Sequence, residues 1–387
     1  MPKTFNFLLL QAAYFSLFCT SYVFLNPALA ERNFTISEIG FILTFSAFLS
    51  IIFQPMVAKL INYFKIVTNK KVLISFMLIS IIATIVSSLS TSLYTVTVMT
   101  IILISSLLTA QTFVYTFIFE YINSGVDINF GLTRGGGSVA FAITSLLVGI
   151  IAKNYGFSFI SIVNIFLELL VLFILLSFKE LKVQNIQKDE KVKNTNFNEF
   201  RKKYRKFLFF LVGVFLILAT HNAFSAFLIN IAKEVNRTSS FVGFSFFLAA
   251  MLELPVMSYF NYFRKKYTNY VLIYIAVISF TVKAITLLIG LVLKDSNIIL
   301  LSQFMQMFGF AVYLPASVFY VNRIMDDKDK IIGQAYLGVA GTLGSIFSGY
   351  VGAKLIESFG TTYMVLSFTL ISLIGTIIII MNLEKEH

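Results

Sequence analysis

Four ionisable side chains lie deep inside long apolar stretches of this 387-residue chain: Glu168, His221, Glu253 and Lys283. An ionised side chain at the centre of a membrane helix costs about 2.5–3.5 kcal/mol on insertion scales, so such residues usually face a cavity or a partner. A carboxylate accepts hydroxyl donors or binds a proton, and an imidazole titrates near neutral pH. These residue types therefore indicate solute recognition or proton transfer.

The surroundings of Glu253 and Lys283 fit such a site. Ala249 and Ala250 precede Glu253 by one helical turn, and small neighbours leave room for water or a ligand beside the carboxylate. Lys283 carries the opposite charge on the next apolar stretch. Because paired charges cost less to bury than single ones, we expect these two residues to neutralise each other.

The other polar positions allow two interpretations each. His221 is either a proton carrier or a neutral, hydrogen-bonded core residue. Glu168 follows Asn164 by four residues and so shares its helix face, which indicates either structural pairing or a functional site. Gln303 and Gln306, three residues apart, form a further uncharged hydrogen-bonding face.

The composition requires a membrane protein. Hydrophobic residues make up 58% of the chain and charged residues only 12%, with a mean hydropathy of +0.87, so too little polar surface remains for a soluble domain. Apolar runs long enough to cross about 30 Å of hydrocarbon as helices recur along the whole chain. We predict an all-α membrane protein with twelve transmembrane helices. The runs cover 5–27, 39–61, 72–90, 94–119, 131–152, 157–178, 206–232, 240–262, 270–293, 297–322, 332–355 and 361–382.

The chain has a net charge of +12, and the positions of its basic residues indicate orientation in a membrane rather than nucleic-acid binding. Lys and Arg concentrate at the amino terminus and in the even-numbered connections, whereas each odd-numbered connection holds two at most. Basic residues favour the cytoplasmic side. We therefore predict a multi-pass protein of the plasma membrane with both termini in the cytoplasm, in contact with lipid and not with nucleic acid.

The chain divides into two related halves. The longest polar segment, 179–205, is predicted to be a cytoplasmic linker between six-helix bundles at 1–178 and 206–387. The run that starts at Gly137 aligns with the run that starts at Gly341, and each ends on a glycine that indicates a short turn. Such repeats are typical of transporters, so the two bundles should be pseudo-symmetric.

Residues with the pattern of a catalytic or metal site are scarce. The second histidine is the terminal His387, the one cysteine is Cys19, and HExxH is absent from the sequence. We accordingly expect a protein that is not an enzyme and that binds neither a cofactor nor a metal.

Several short motifs, in shared order, resemble the major facilitator superfamily, in particular the lactose permease and its phenylpropionate and nucleoside symporter relatives. They are SIIFQPM, FGLTR, LELPV, TVKAIT, SQFMQMFGF and GQAYLGVAGTLG. The resemblance implies that Arg134 binds solute hydroxyls, that Phe141 stacks on a sugar ring and that Glu253 accepts sugar hydroxyls. Lys283 replaces an arginine implicated in coupling.

The sequence departs from this pattern at other positions. The family's second sugar-binding carboxylate aligns with Thr116, and the nearest acid is Glu120, one turn away. Gln306 replaces the histidine of the family's proton-coupling site, and Asn222 replaces an acid. We include Glu120, Asn222 and Gln306 among the predicted solute-binding residues.

These observations together predict a monomeric secondary active transporter that works by alternating access. We expect it to take up a small polar solute, a sugar or oligosaccharide, with the proton as coupling ion. Candidates for the coupling group are Glu253, His221, Lys283 and Glu168. The alternative is a transporter of aromatic organic acids, nucleosides or drugs, working in uptake or efflux.

Overall fold

A computed structural model of the protein describes residues 4–64, 67–179, 197–326 and 329–384. Regular structure in these ranges is helical throughout, without a strand. The predicted linker at 179–205 lies outside the described residues between 180 and 196, as do Lys3, Lys65, Lys328 and His387.

Twelve helices in the described ranges are long and apolar enough to cross a membrane, which confirms the predicted all-α architecture. We call them spans 1 to 12 in chain order. They are Thr4–Val23, Ile36–Ile61, Asn69–Leu89, Leu93–Asn123, Phe130–Tyr155, Ile160–Ser177, Arg205–Ala226, Ser239–Ser258, Asn269–Val292, Ser296–Ile324, Ile332–Phe359 and Thr361–Asn382.

Some predicted runs are interrupted in the structure. Span 1 is an α-helix over Thr4–Phe18 that continues as a π-helical turn, Cys19–Val23. Span 10 consists of Ser296–Phe308 and Phe310–Ile324, separated by Gly309 with φ −80° and ψ −92°. Hydropathy is uniform across such breaks and does not reveal them. Short helices beside the spans cover Leu25–Ala30, Phe197–Lys203, Leu228–Glu234 and Phe260–Lys266.

Helix ends follow local sequence signals. Span 2 begins at a capping box in which Thr35 Oγ1 accepts from the Glu38 amide and the Thr35 amide donates to the Glu38 carboxylate. Spans 5 and 11 end at Gly156 and Gly360, whose φ angles of +70° and +92° favour glycine. These are the two glycines predicted to end the aligned runs, so the predicted turns are confirmed.

The chain forms two compact units. Unit 1 comprises Met1–Gln184 and Thr238–Ala250, and unit 2 comprises Asn185–Arg237 and Met251–His387. Unit 1 thus contains spans 1 to 6 with the first part of span 8. Unit 2 contains the remainder of span 8 and the five other spans of the second half.

Aromatic rings and glycines hold each unit together. In unit 1 the Phe7 ring packs 5.1 Å from the Tyr121 ring and 4.6 Å from the Phe178 ring. In unit 2 spans 7 and 12 approach closely at Gly213 and Gly375, where a Cβ on Gly375 would lie 3.0 Å from the Gly213 carbonyl oxygen. Such small-residue contacts let membrane helices pack backbone against backbone.

Candidate functional site

The main polar arrangement of unit 2 joins three spans by side-chain hydrogen bonds. Lys283 Nζ on span 9 donates to Gln306 Oε1 on span 10 at 2.6 Å. Gln306 Nε2 in turn donates to Glu253 Oε1 on span 8 at 2.7 Å. We call these three residues the polar chain. Gln306 and Lys283 are buried, with 6% and 8% of their surfaces exposed, whereas Glu253 is half-buried.

The amide of Gln306 is oriented to suit both charges of the polar chain. Its carbonyl oxygen accepts from the ammonium group, and its amino group donates to the carboxylate. Hydrogen bonds to charged partners are roughly twice as strong as neutral ones. The sequence predicted that Glu253 and Lys283 would neutralise each other, and the structure adds an uncharged residue that links them.

Close to the polar chain, the helices that carry it contain one break and one proline. Gln306 lies in the last turn before the break at Gly309, and Pro255 lies inside span 8 two residues after Glu253. At Gly309 a Cβ would lie 3.6 Å from the Phe280 ring, an ordinary contact distance, so span 10 packs against span 9 here, one turn from Lys283. Helix breaks of this kind are common where transporters bind solutes or ions.

His221 on span 7 lies between two aromatic rings. Its imidazole stacks on Phe310 with centroids 5.0 Å apart and an interplanar angle of 13°, and it meets Phe280 edge-on at 5.7 Å. Its Nδ1 atom is buried and has no hydrogen-bond partner among the described residues. This packing favours a neutral ring in an aromatic cluster over a proton carrier.

Asn222 forms its hydrogen bond outside the polar chain, to a residue of span 11. Its Nδ2 donates to Ser345 Oγ on span 11 at 2.8 Å. The neighbouring Ser225 hydroxyl donates back to the His221 carbonyl within its own helix. Asn222 therefore holds spans 7 and 11 together, and its predicted contact with a solute stays a prediction.

In unit 1, Arg134 and Phe141 lie on span 5 and have separate partners. Arg134 Nη1 donates to Ser138 Oγ at 2.8 Å, and the guanidinium carbon lies 4.4 Å from the centroid of the Phe15 ring on span 1. Phe141 meets the Phe246 ring edge-on at 6.3 Å. Phe15 went unnoticed in the sequence because one phenylalanine among 44 carries no signal by itself.

The remaining two predicted carboxylates are both hydrogen-bonded to span 3. Glu120 Oε1 accepts from Asn69 Nδ2 at 2.6 Å near the end of span 4. Glu168 on span 6 is fully buried, and its Oε1 accepts from Thr84 Oγ1 at 2.9 Å. Neither partner, Asn69 or Thr84, had been singled out from the sequence. Both carboxylates belong to unit 1, whereas the polar chain belongs to unit 2.

Within the part of the chain that the structure describes, no group of three or more His, Cys, Asp or Glu side chains could hold a metal ion. The chemistry available to the predicted residues is hydrogen bonding, charge pairing and proton transfer. Hydrogen bonding and charge pairing are non-covalent, and proton transfer is reversible. All three therefore suit recognition of a polar solute.

Twelve membrane spans with ionisable residues inside them are typical of a membrane transporter. The chain belongs to the MFS_1-like family, whose model matches residues 6–365. The predicted superfamily resemblance is thereby confirmed over nearly the whole chain. No curated protein sequence gives a significant match.

Solved structures of transporters share this fold. The nucleoside transporter NupG aligns with a TM-score of 0.82 and 15% identity over 100% of both chains. A single-substitution mutant of NupG gives a TM-score of 0.84 at 13% identity, covering 98% of this chain and 100% of the other. A POT family transporter in complex with a thioalcohol-conjugated peptide gives 0.78 at 12% identity, over 98% and 95% of the chains.

Proposed function

We propose that this transporter takes up a small hydroxylated solute, a sugar or oligosaccharide, with the polar chain as its principal recognition element. The observation that carries the proposal is the continuous hydrogen bonding from Lys283 through Gln306 to the partly exposed carboxylate of Glu253. Intramembrane charges that are expensive to bury are retained where they serve a solute or ion.

The carboxylate at the end of the polar chain suits a sugar. Glu253 can accept hydroxyl donors, and Gln306 fixes its direction by donating to Oε1. A ligand site needs only a few well-placed polar groups in an otherwise apolar lining. Arg134 and Phe141, which belong to unit 1, carry chemistry that suits the same class of solute: a guanidinium fork that can donate to vicinal oxygens, and a ring face for the apolar side of a pyranose.

Proton coupling completes the proposal, with Glu253 as the group that binds the proton. Protonation would replace a charge-assisted hydrogen bond from Gln306 by a weaker neutral one, and it would remove the negative charge that faces Lys283 through the amide. A proton and a solute that both favour one conformation are coupled through that conformation. His221 is the weaker candidate because of its aromatic packing.

The second candidate solute class is nucleosides or aromatic acids. A nucleoside carries a ribose with vicinal hydroxyls as well as a base that can stack on Phe141. The nucleoside transporter NupG shares the fold over its full length, which supports this candidate without identifying the solute. An aromatic acid would instead pair its carboxylate with Lys283 or Arg134.

Proteoliposome uptake tests the proposed function. We expect labelled sugar to accumulate when the outside is made acidic by one pH unit. A 1:1 coupling to that gradient is worth about 1.4 kcal/mol, or roughly tenfold accumulation. Vesicles treated with a protonophore and vesicles without protein serve as controls.

Equal internal and external solute at steady state, with and without the gradient, would contradict proton coupling. Nucleoside accumulation in place of sugar would support the second candidate class. If neither class enters the vesicles faster than in protein-free controls, the proposed uptake function is wrong.

A further inference from the structure

A polar cavity of about 390 Å³ lies inside unit 1, and no residue of the polar chain is among the residues that line it. Spans 1, 3, 4 and 6 line it, and hydroxyl and amide groups occupy much of its wall. Among them are Thr20, Ser21, Thr84, Thr100 and Asn164. All five are buried, with 5% or less of each residue exposed. The fully buried Glu168 carboxylate is bonded to one of them, Thr84.

Three buried oxygen atoms in this region have no hydrogen-bond partner among the described residues: Ser21 Oγ, Asn164 Oδ1 and Glu168 Oε2. Their residues are 3%, 5% and 0% exposed. Unpartnered buried acceptors are rare in proteins, since each one forfeits its hydration without compensation. Asn164 and Glu168 are four residues apart on span 6, so their side chains are neighbours on one helix face.

The charge in this region is unbalanced too. Within the described ranges no ion pair reaches Glu168, and its carboxylate has only uncharged hydroxyl partners, Thr84 and Ser80. Arg32 is the basic residue that lines the cavity, and its guanidinium is held at the rim by the carbonyl oxygens of Ser87 and Ser90, at 2.9 and 2.7 Å. Glu31, also at the rim, accepts from the Phe157 amide.

We propose that Glu168, Asn164, Ser21 and Thr84 form a binding site for a sodium ion. Carboxylate, amide and hydroxyl oxygens are the ligands that hard cations prefer. One monovalent cation neutralises one carboxylate, whereas a divalent ion would leave a net charge buried among membrane helices. A single ion would also provide a partner for all three unpartnered oxygens at once.

The backbone of span 1 supports this site. Thr20 and Ser21 lie on the π-helical turn Cys19–Val23, where the amide of Phe24 reaches the Cys19 carbonyl at 3.4 Å. A π-helical turn inside an α-helix is rare and frequently marks a functional position. It shifts the register of the backbone hydrogen bonds of span 1 beside the cavity.

An ion can reach the site from one end of the unit. The lining of the cavity includes Ser88 and Ser158, which are exposed, as well as the buried Thr84 and Asn164. Arg32 and the two exposed serines lie on odd-numbered connections or at the adjoining span ends, which the charge distribution predicts to be external. The cavity therefore extends from that side of the unit to Thr84, the hydrogen-bond partner of Glu168.

Thermal unfolding of the purified protein tests the site without reference to transport. Sodium chloride is raised from 0 to 200 mM while choline chloride keeps the ionic strength constant, and potassium chloride is run in parallel. We expect sodium alone to raise the unfolding temperature by about 3 °C or more, because a ligand that binds only the folded state stabilises it. Glu168→Gln should lose this response. Glu120→Gln, a carboxylate of the same unit outside the cavity, should keep it.

If Glu168→Gln does not fold, Asn164→Leu and Ser21→Ala replace it. Each is expected to raise the half-saturating sodium concentration about tenfold, as loss of one good ligand implies. Equal responses to sodium, potassium and choline would overturn the proposal, and so would a normal sodium response in Glu168→Gln. An unfolding temperature that changes with pH but not with sodium would identify Glu168 as a proton site. That result would also overturn the proposal. None of these results depends on whether the sugar proposal holds.

Discussion

Lys283→Met is expected to lower the free energy of unfolding by about 3 kcal/mol, because it removes the cation from a buried polar chain and leaves the Gln306 carbonyl oxygen without its donor. Gln306 Oε1 would lose the ammonium donor that lies 2.6 Å away, and Glu253 would lose its countercharge. Chemical or thermal unfolding of the purified protein in detergent measures the effect. The matched control is Lys294→Met, since Lys294 is an exposed lysine paired with Glu234, and we expect a change below about 0.5 kcal/mol there.

A double variant separates the polar chain from simple loss of packing. Lys283→Met combined with Gln306→Leu removes donor and acceptor together, and replacing both partners by apolar groups of similar shape can be nearly neutral. The double variant should therefore be less destabilised than the sum of the two single variants, by about 1–3 kcal/mol. Strict additivity would show that the two side chains act independently.

Gln306→Leu is expected to reduce solute uptake by about 10–100-fold, the equivalent of losing one hydrogen bond to a charged group. Gln306 donates to Glu253 Oε1 at 2.7 Å, so leucine would remove a hydrogen bond that orients the carboxylate. Initial uptake rates into proteoliposomes measure the loss.

Gln303→Leu is the matched control for that experiment. Gln303 lies three residues earlier on the same helix face and is equally buried, but its hydrogen bond goes to the adjacent Ser302. We expect its uptake rate to stay within about twofold of wild type, as for a residue outside the site. Equal losses in both variants would mean that span 10 is merely intolerant of leucine, which contradicts a specific role for Gln306.

The fold was predictable because each membrane-spanning helix corresponds to a long apolar run that is visible in the sequence. Runs near 20 apolar residues can satisfy their backbone groups in lipid only as helices, so the number of spans followed directly from the sequence. The turns at Gly156 and Gly360 were predictable too, since each glycine follows a long apolar run and adopts a positive φ. The division into bundles at 178 and 206 stays a prediction.

The contacts within the candidate site could not be predicted to the same extent. Glu253 and Lys283 are recognisable by charge alone, but the link through Gln306 depends on how three spans rotate about their axes. The same holds for Thr84 beside Glu168 and for Phe15 beneath Arg134, which are 84 and 119 residues apart along the chain. The break at Gly309 and the π-helical turn at Cys19–Val23 are local backbone features without a hydropathy signal.

The most direct measurement of the central claim is the thermal stabilisation of wild type and Glu253→Gln by a panel of sugars, nucleosides and aromatic acids. Glu357→Gln serves as control, because Glu357 is a carboxylate beside Lys354 on an exposed helix end. We predict that a hydroxylated solute stabilises wild type and the control but leaves Glu253→Gln unchanged. An equal shift in Glu253→Gln, or a response to aromatic acids alone that disappears in Lys283→Ala, would contradict the assignment of Glu253 as the sugar-binding carboxylate.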